Sequence, residues 1–155
     1  MKKFFLLPLF LIFFLSQAIA QVNEKQFAGG IDLALLPSIS FGVSGLYNIN
    51  SQFAVKGNLG LSGSMKVTGI FAQYKIGNMD NKQAYIYAMV GSMSHNSASK
   101  GTFGLGIGVN YFIHPQLPLY GMLEVGYISI PDYEDVVVGI PLSISAGLKY
   151  GFSLY

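Results

Sequence analysis

Residues 142–154 read Leu-Ser-Ile-Ser-Ala-Gly-Leu-Lys-Tyr-Gly-Phe-Ser-Leu, an alternation that constrains everything else the chain can fold into. Leu142, Ile144, Ala146, Leu148, Tyr150, Phe152 and Leu154 take one phase, and Ser143, Ser145, Gly147, Lys149, Gly151 and Ser153 take the other. In an extended chain, alternate side chains share a face, so this is a strand with one apolar and one polar side. A globular strand runs for about 5–6 residues, whereas a strand that crosses a bilayer needs about 9–11. Strands can cross lipid only as a closed barrel, because an open edge leaves backbone groups without partners.

The other end of the sequence is of a different kind. Lys2 and Lys3 precede an unbroken apolar run over 4–15, followed by Ser16-Gln17 and the small-x-small step Ala18-Ile19-Ala20. That is the pattern of a secretory signal peptide, so residues 1–20 are expected to be removed before Gln21. The apolar run is too short to span a membrane as a helix, which needs about 20 residues. No cysteine occurs anywhere, which excludes a lipid-anchored precursor, a disulfide framework and a thiolate zinc site.

The segment 21–155 has the length of one domain. Only 10% of the whole sequence is charged and 52% is hydrophobic, against about 25% charged in an average soluble domain. Of the nine basic residues, Lys2 and Lys3 leave with the leader; the remaining seven are all lysine and match the seven acids. A neutral domain without arginine has no nucleic-acid footprint. No apolar run after residue 20 is long enough for a spanning helix, so a membrane-embedded form must be built from strands.

Period-two segments recur along the chain. Strands are expected over 27–35, ending at Pro37, then over 39–48 and 53–62, separated by the turn-forming run Asn48-Ile49-Asn50-Ser51-Gln52. The segment 65–76 changes phase between Val67 and Phe71 on one side and Ile70, Ala72, Tyr74 and Ile76 on the other. A bulge near Gly69 is the expected cause. The segment 83–93 is apolar on both phases, and its faces are not assignable. Clean alternation returns over 102–111 and 119–127, before the closing strand. Eight strands of about 11 residues fit the chain with short connections, and an even count suits a single-chain bacterial barrel. The expected architecture is therefore all-β: an eight-stranded antiparallel up-and-down transmembrane β-barrel over 21–155.

Alternation alone also fits a soluble lipocalin-like barrel. The phases favour the membrane. The small and polar phase carries only isolated charges, Asp32, Lys56, Lys75, Glu124 and Lys149, and suits a crowded small-barrel lumen. The long aliphatic phase makes a poor water-facing surface. Aromatic residues gather at the ends of strands nearest the N-terminal side: Phe27, Tyr47, Phe53, Tyr74, Tyr85, Tyr87, Tyr111, Phe112, Tyr120, Tyr150 and Phe152. Every strand contributes to this girdle, of the kind that sits at headgroup level. Phe41, Phe103 and Tyr127 form a thinner opposite rim.

The closing segment 147–152, Gly-Leu-Lys-Tyr-Gly-Phe, and the turn region 48–56 resemble the small outer-membrane β-barrel proteins of the OmpX/OmpA-like group, particularly Bacteroidetes-type sequences. The resemblance implies a Gram-negative outer-membrane location and assembly by the barrel-assembly machinery, which reads a closing aromatic on the lipid-facing phase. Tyr150 and Phe152 are in that phase and Tyr155 is not, so Phe152 and Tyr155 both stand as candidates for the signal.

Chemical motifs are few. His95 lies among Ser92, Ser94 and Ser97, and Asp132, Glu134 and Asp135 lie in a loop expected at the same end. Such a set is the raw material of acyl transfer, but residues on separate loops read first as solvated surface. No enzymatic activity is expected. His114 before a proline reads as turn surface, and the acids with Tyr133 as a solvated loop rather than a cation site. Gly104, Gly106 and Gly108 alternate inside a strand with no helix after them, so they are not a phosphate loop.

The five lumen charges carry more information. A Lys at the bilayer midplane of such a barrel costs about 2–4 kcal/mol if it faces lipid, so these groups are expected to turn inward and pair, Glu124 with Lys149 first. The glycines at 104, 106 and 108 leave a slot beside their strand, to be filled by long neighbours such as Lys75 or Tyr120, or held by water. The expected role is structural or interactive, as a monomer in outer-membrane lipid with a largely plugged interior and no cofactor. A narrow porin-like channel and a secreted lipocalin-like binding module are the alternatives.

Overall fold

A computed structural model describes residues 26–35, 39–79, 81–96, 98–113, 118–129 and 142–153. The expected leader 1–20, Pro37, Ser97, His114, the acidic loop with Asp132, Tyr133, Glu134 and Asp135, and the terminal Tyr155 lie outside the described residues.

Eight strands follow one another: β1 (Gln26–Leu35), β2 (Ile39–Asn48), β3 (Phe53–Ser62), β4 (Met65–Met79), β5 (Lys82–His95), β6 (Ala98–Phe112), β7 (Leu119–Ile128) and β8 (Leu142–Ser153). Each pairs antiparallel with its sequence neighbour, and β1 pairs with β8, so the sheet closes as β1-β2-β3-β4-β5-β6-β7-β8. Closure gives all strands two neighbours and leaves no edge. Among the described residues no helix is long and apolar enough to cross a membrane.

Local chemistry explains the turns. Between β2 and β3, the Asn50 Oδ1 accepts the backbone N–H groups of Gln52 at 2.8 Å and Phe53 at 2.7 Å. This is an Asx turn, in which a side chain supplies the acceptor. Between β3 and β4, Gly63 takes φ +58°, a left-handed value that a side chain resists.

The apolar phase faces outward. Ile31 is 64% exposed, Phe41 68% and Leu105 62%, and Val43, Leu59, Ile70, Val90, Ile107 and Leu123 continue the belt. The inward phase is polar and charged: Lys56, Glu124 and Lys149 are buried, with Ser40, Ser44, Gln73, Thr102 and Asn110. A water-soluble barrel has the opposite arrangement, apolar within and charged without.

Three expectations change. The β3–β4 and β4–β5 registers run unbroken through Gly69, and the irregularity sits between Lys75 and Gly77. Val67 and Phe71 do not slip out of phase; they are inward-facing apolar residues, both buried. The undecided β5 turns Gln83, Tyr85, Tyr87, Met89 and Met93 inward and Ile86 and Val90 outward. Consequently Tyr85 and Tyr87 are not in the girdle. Neither is Tyr120, buried inside against Phe112 with ring centroids 5.5 Å apart. The girdle that remains includes Phe27 stacked on Phe152 at 6.3 Å and Phe53 against Tyr74 at 5.1 Å, and β5 and β7 give it no aromatic from the expected set.

Candidate functional site: the barrel interior

Two apolar clusters fill the lumen. Ala28, Leu46, Ala54 and Tyr120, with Phe112 against them, close the end where β1 begins. Val67, Phe71, Tyr85, Tyr87, Met89, Met93, Met122 and Ile128 form the second cluster, on the β4–β7 side. The charged groups gather beside these clusters and are held by hydrogen bonds from almost every strand.

Glu124 on β7 is the acceptor of the larger group. Lys56 Nζ on β3 lies 2.5 Å from its Oε2, and both side chains are almost fully buried, at 1% and 2% exposure. Ser145 Oγ on β8 donates to Oε2 at 3.1 Å. Tyr85 Oη on β5 donates to Oε1 at 2.9 Å, and Gln73 Nε2 on β4 donates to the same oxygen at 3.3 Å. A buried carboxylate needs this many donors, because removal from water is costly unless its lone pairs are engaged. Lys56 Nζ also stands 4.0 Å from the centroid of the Phe71 ring, a cation–π contact.

The smaller group crosses the seam between the first and last strands. Lys149 Nζ on β8 is 2.5 Å from Asp32 Oδ1 on β1 and also donates to Ser44 Oγ on β2. Glu124 and Lys149 are therefore not partners. The β7–β8 register sets Glu124 opposite Ser145 and Lys149 opposite Tyr120, a displacement of four residues, or about 13 Å along the strand. Lys75 belongs to neither pair; it is half-buried in β4 opposite Tyr85, at the edge of the regular register.

The slot beside β6 is filled, but neither by Lys75 nor by Tyr120. Tyr85 stands opposite Gly108, Tyr87 opposite Gly106 and Met89 opposite Gly104. A Cβ on Gly106 would lie 2.5 Å from Tyr87 Cζ, and one on Gly108 would fall within the Tyr85 ring. The bare backbone of β6 thus leaves room for two rings of β5 to cross it. Gly108 is in turn opposite Glu124 on β7, and this is how the Tyr85 hydroxyl reaches a carboxylate two strands away. The remaining central cavity is about 50 Å³, lined by Asp32, Ser40, Asn58, Glu124 and Ser145 among others. That is room for about one or two water molecules.

Among the described residues, His95 is joined to a serine of another turn. Its Nδ1 lies 3.0 Å from Ser64 Oγ in the β3–β4 turn, while Ser92 Oγ pairs with Thr68 Oγ1 and Ser94 Oγ donates to Ser99 Oγ. All of this is at the barrel's rim. No group of three potential metal ligands occurs among the described residues.

Sequence reasoning placed Asp32, Lys56, Glu124 and Lys149 on the inward phase but missed Tyr85, Gln73, Ser44 and Ser145 as their partners. The available signal was numerical. Tyr85, Tyr87 and Met89 share the spacing of Gly108, Gly106 and Gly104 about the turn at 96–97.

No family model matches the chain, and no curated protein matches it in sequence. Solved structures do match its shape. The N-terminal β-barrel domain of Pseudomonas aeruginosa OprF superposes with a TM-score of 0.65 at 11% identity, covering 83% of this chain and 98% of that domain. Neisserial surface protein A gives 0.52 at 18% identity, covering 83% and 96%. A de novo designed transmembrane β-barrel gives 0.61 at 13% identity, covering 86% and 100%. At these identities the likeness concerns the fold, and it gives no support to a Bacteroidetes-type assignment. The chain has the fold of the small eight-stranded transmembrane β-barrels.

Proposed function

We propose that the mature chain is an integral outer-membrane β-barrel of a Gram-negative type bacterium, a monomer with a structural or interaction role, a plugged interior and no enzymatic activity. The membrane part of this reading is supported by the outward belt of Ile31, Phe41, Leu59, Leu105 and their neighbours, an exterior suited to hydrocarbon. It also disfavours the lipocalin-like alternative. The resemblance of the closing strand supports assembly by the barrel-assembly machinery, with Phe152 on the lipid-facing phase.

The observation that carries the plug is the Glu124 cluster. Donors from β3, β4, β5 and β8 converge on one carboxylate of β7, so the network ties together opposite walls of the lumen. With Tyr85 and Tyr87 over the β6 glycines, the cavity beside Glu124 is about 50 Å³. An eight-stranded barrel has an interior about wide enough for its own side chains and no more.

Planar-bilayer recording of the purified protein tests the reading. The wild type is expected to give no stable openings, and Glu124→Ala to introduce them. Stable ohmic openings in the wild type would replace the plugged barrel with the narrow channel.

A further inference from the structure

Outside the wall, between β2, β3, β4 and β5, lies a groove of about 770 Å³. Its cause is the register. Gly45 of β2 stands directly opposite Gly57 of β3, and both share the outward phase of Val43 and Leu59. Gly45 is in turn opposite Gly29 of β1, so three neighbouring outward positions, on β1, β2 and β3, carry no side chain. Phe27 borders one side, its ring 3.0 Å from where a Cβ on Gly45 would stand, whereas nothing lies within 4 Å of one on Gly57. Val43, Leu59, Ile70 and Val90 complete the apolar walls.

The groove changes character along its length. Ile70 pairs with Val90, and the next outward pair toward the 63–64 turn is Thr68 with Ser92. These two hydroxyls lie 2.9 Å apart and line the groove. One hydrogen bond between them leaves the hydrogen of the second hydroxyl to donate elsewhere. The pair beyond is Lys66 with Ser94, and Lys66 is exposed. Among the described strand residues, the other charge on the outward phase is Lys82, at the opposite end of the barrel, and no carboxylate shares that phase. One end of the groove is therefore cationic and hydroxyl-bearing, and the other is apolar and empty.

We propose that this groove binds one phosphate-bearing lipid of the surrounding leaflet, its acyl chain lying over Gly57 and against the Phe27 ring that covers Gly45, and its phosphate held by Lys66 above the Thr68–Ser92 pair. Apolar burial favours the chain, since an unfilled depression in the belt forfeits its dispersion contacts. Lys66 supplies the charge complement for the phosphate, and a hydroxyl hydrogen below it can meet an ester or phosphate oxygen. The inference rests on the bilayer-spanning reading above.

Native mass spectrometry of the purified mature protein, titrated with phosphatidylglycerol or phosphatidylcholine, tests it after insertion into vesicles has been verified. The wild type is expected to retain one phosphatidylglycerol per barrel in preference to phosphatidylcholine. Lys66→Gln should reduce that preference about fivefold, the worth of one lysine near an anionic lipid. Gly57→Leu fills the groove where there is room for the side chain, and should lower retention of both lipids about tenfold. Gly57→Leu retaining lipid like the wild type, or an unchanged preference in Lys66→Gln, would overturn the site while leaving the membrane reading intact. So would a wild-type dimer that Gly57→Leu dissociates, which would assign the groove to a second copy. A wild type that does not insert would overturn both.

Discussion

Tyr85 crosses Gly108 and passes its hydroxyl to Glu124, two strands from its own. The glycine is required by the tyrosine, since any Cβ at 108 occupies the space of the ring. The carboxylate in turn relies on the tyrosine for one of its buried hydrogen bonds.

Gly108→Ala should therefore behave as an overpacked core substitution, costing about 1–3 kcal/mol. Tyr85→Phe keeps the ring and removes only the donor to a charged acceptor, at about 1.5–3 kcal/mol. If the glycine acts through the tyrosine, the double variant will be less destabilised than the sum of the two. Urea unfolding in lipid vesicles, as a double-mutant cycle, measures the coupling.

Glu124→Ala strands Lys56 in the lumen without its counter-charge, and loss of one partner of a buried pair costs about 3–5 kcal/mol. Adding Lys56→Met to Glu124→Ala should recover about 2 kcal/mol of that loss, because the orphaned charge is then gone. The same unfolding assay decides the matter; a double variant no more stable than Glu124→Ala would show that the pair does not set the cost.

Residues 1–20 should be absent from the mature protein. Intact-mass measurement is expected to begin at Gln21, and retention of Met1 would exclude the cleaved leader.

Phe152 is stacked with Phe27 across the β1–β8 seam and lies against Tyr150 at 5.1 Å. Deletion of 153–155 should leave assembly intact, whereas deletion of 147–155 should abolish it by removing most of a strand. Heat-modifiable migration on gels reads both results, and failure of the shorter deletion would transfer the assembly signal to Tyr155.

The strands were legible because lipid and lumen impose opposite demands on alternate residues, and 26–35, 39–48 and 53–62 wear that alternation openly. The lumen of β4 and β5 was not. There Val67, Phe71, Tyr85, Tyr87 and Met89 face inward, so apolar residues occupy both phases and the contrast disappears. Pairing was harder still. Placing the β5–β6 turn one residue away from 96–97 moves Tyr85 off Gly108, and one residue of slip reverses every face. Between β7 and β8 the long connection fixes no register, which is why Glu124 and Lys149 look like partners in the sequence and stand four residues apart in the barrel.

The Lys149–Asp32 pair has a bearing on the order of events during assembly. Its members sit on the strands that begin and end the barrel, and they meet only when the final seam forms. A sheet that enters the bilayer unrolled carries a bare cation along one margin and a bare anion along the other. Each is tolerable in water and costly in hydrocarbon. The pair thus works as a latch that penalises partial insertion, favouring a chain that curls shut as it enters over one that lies open in the lipid.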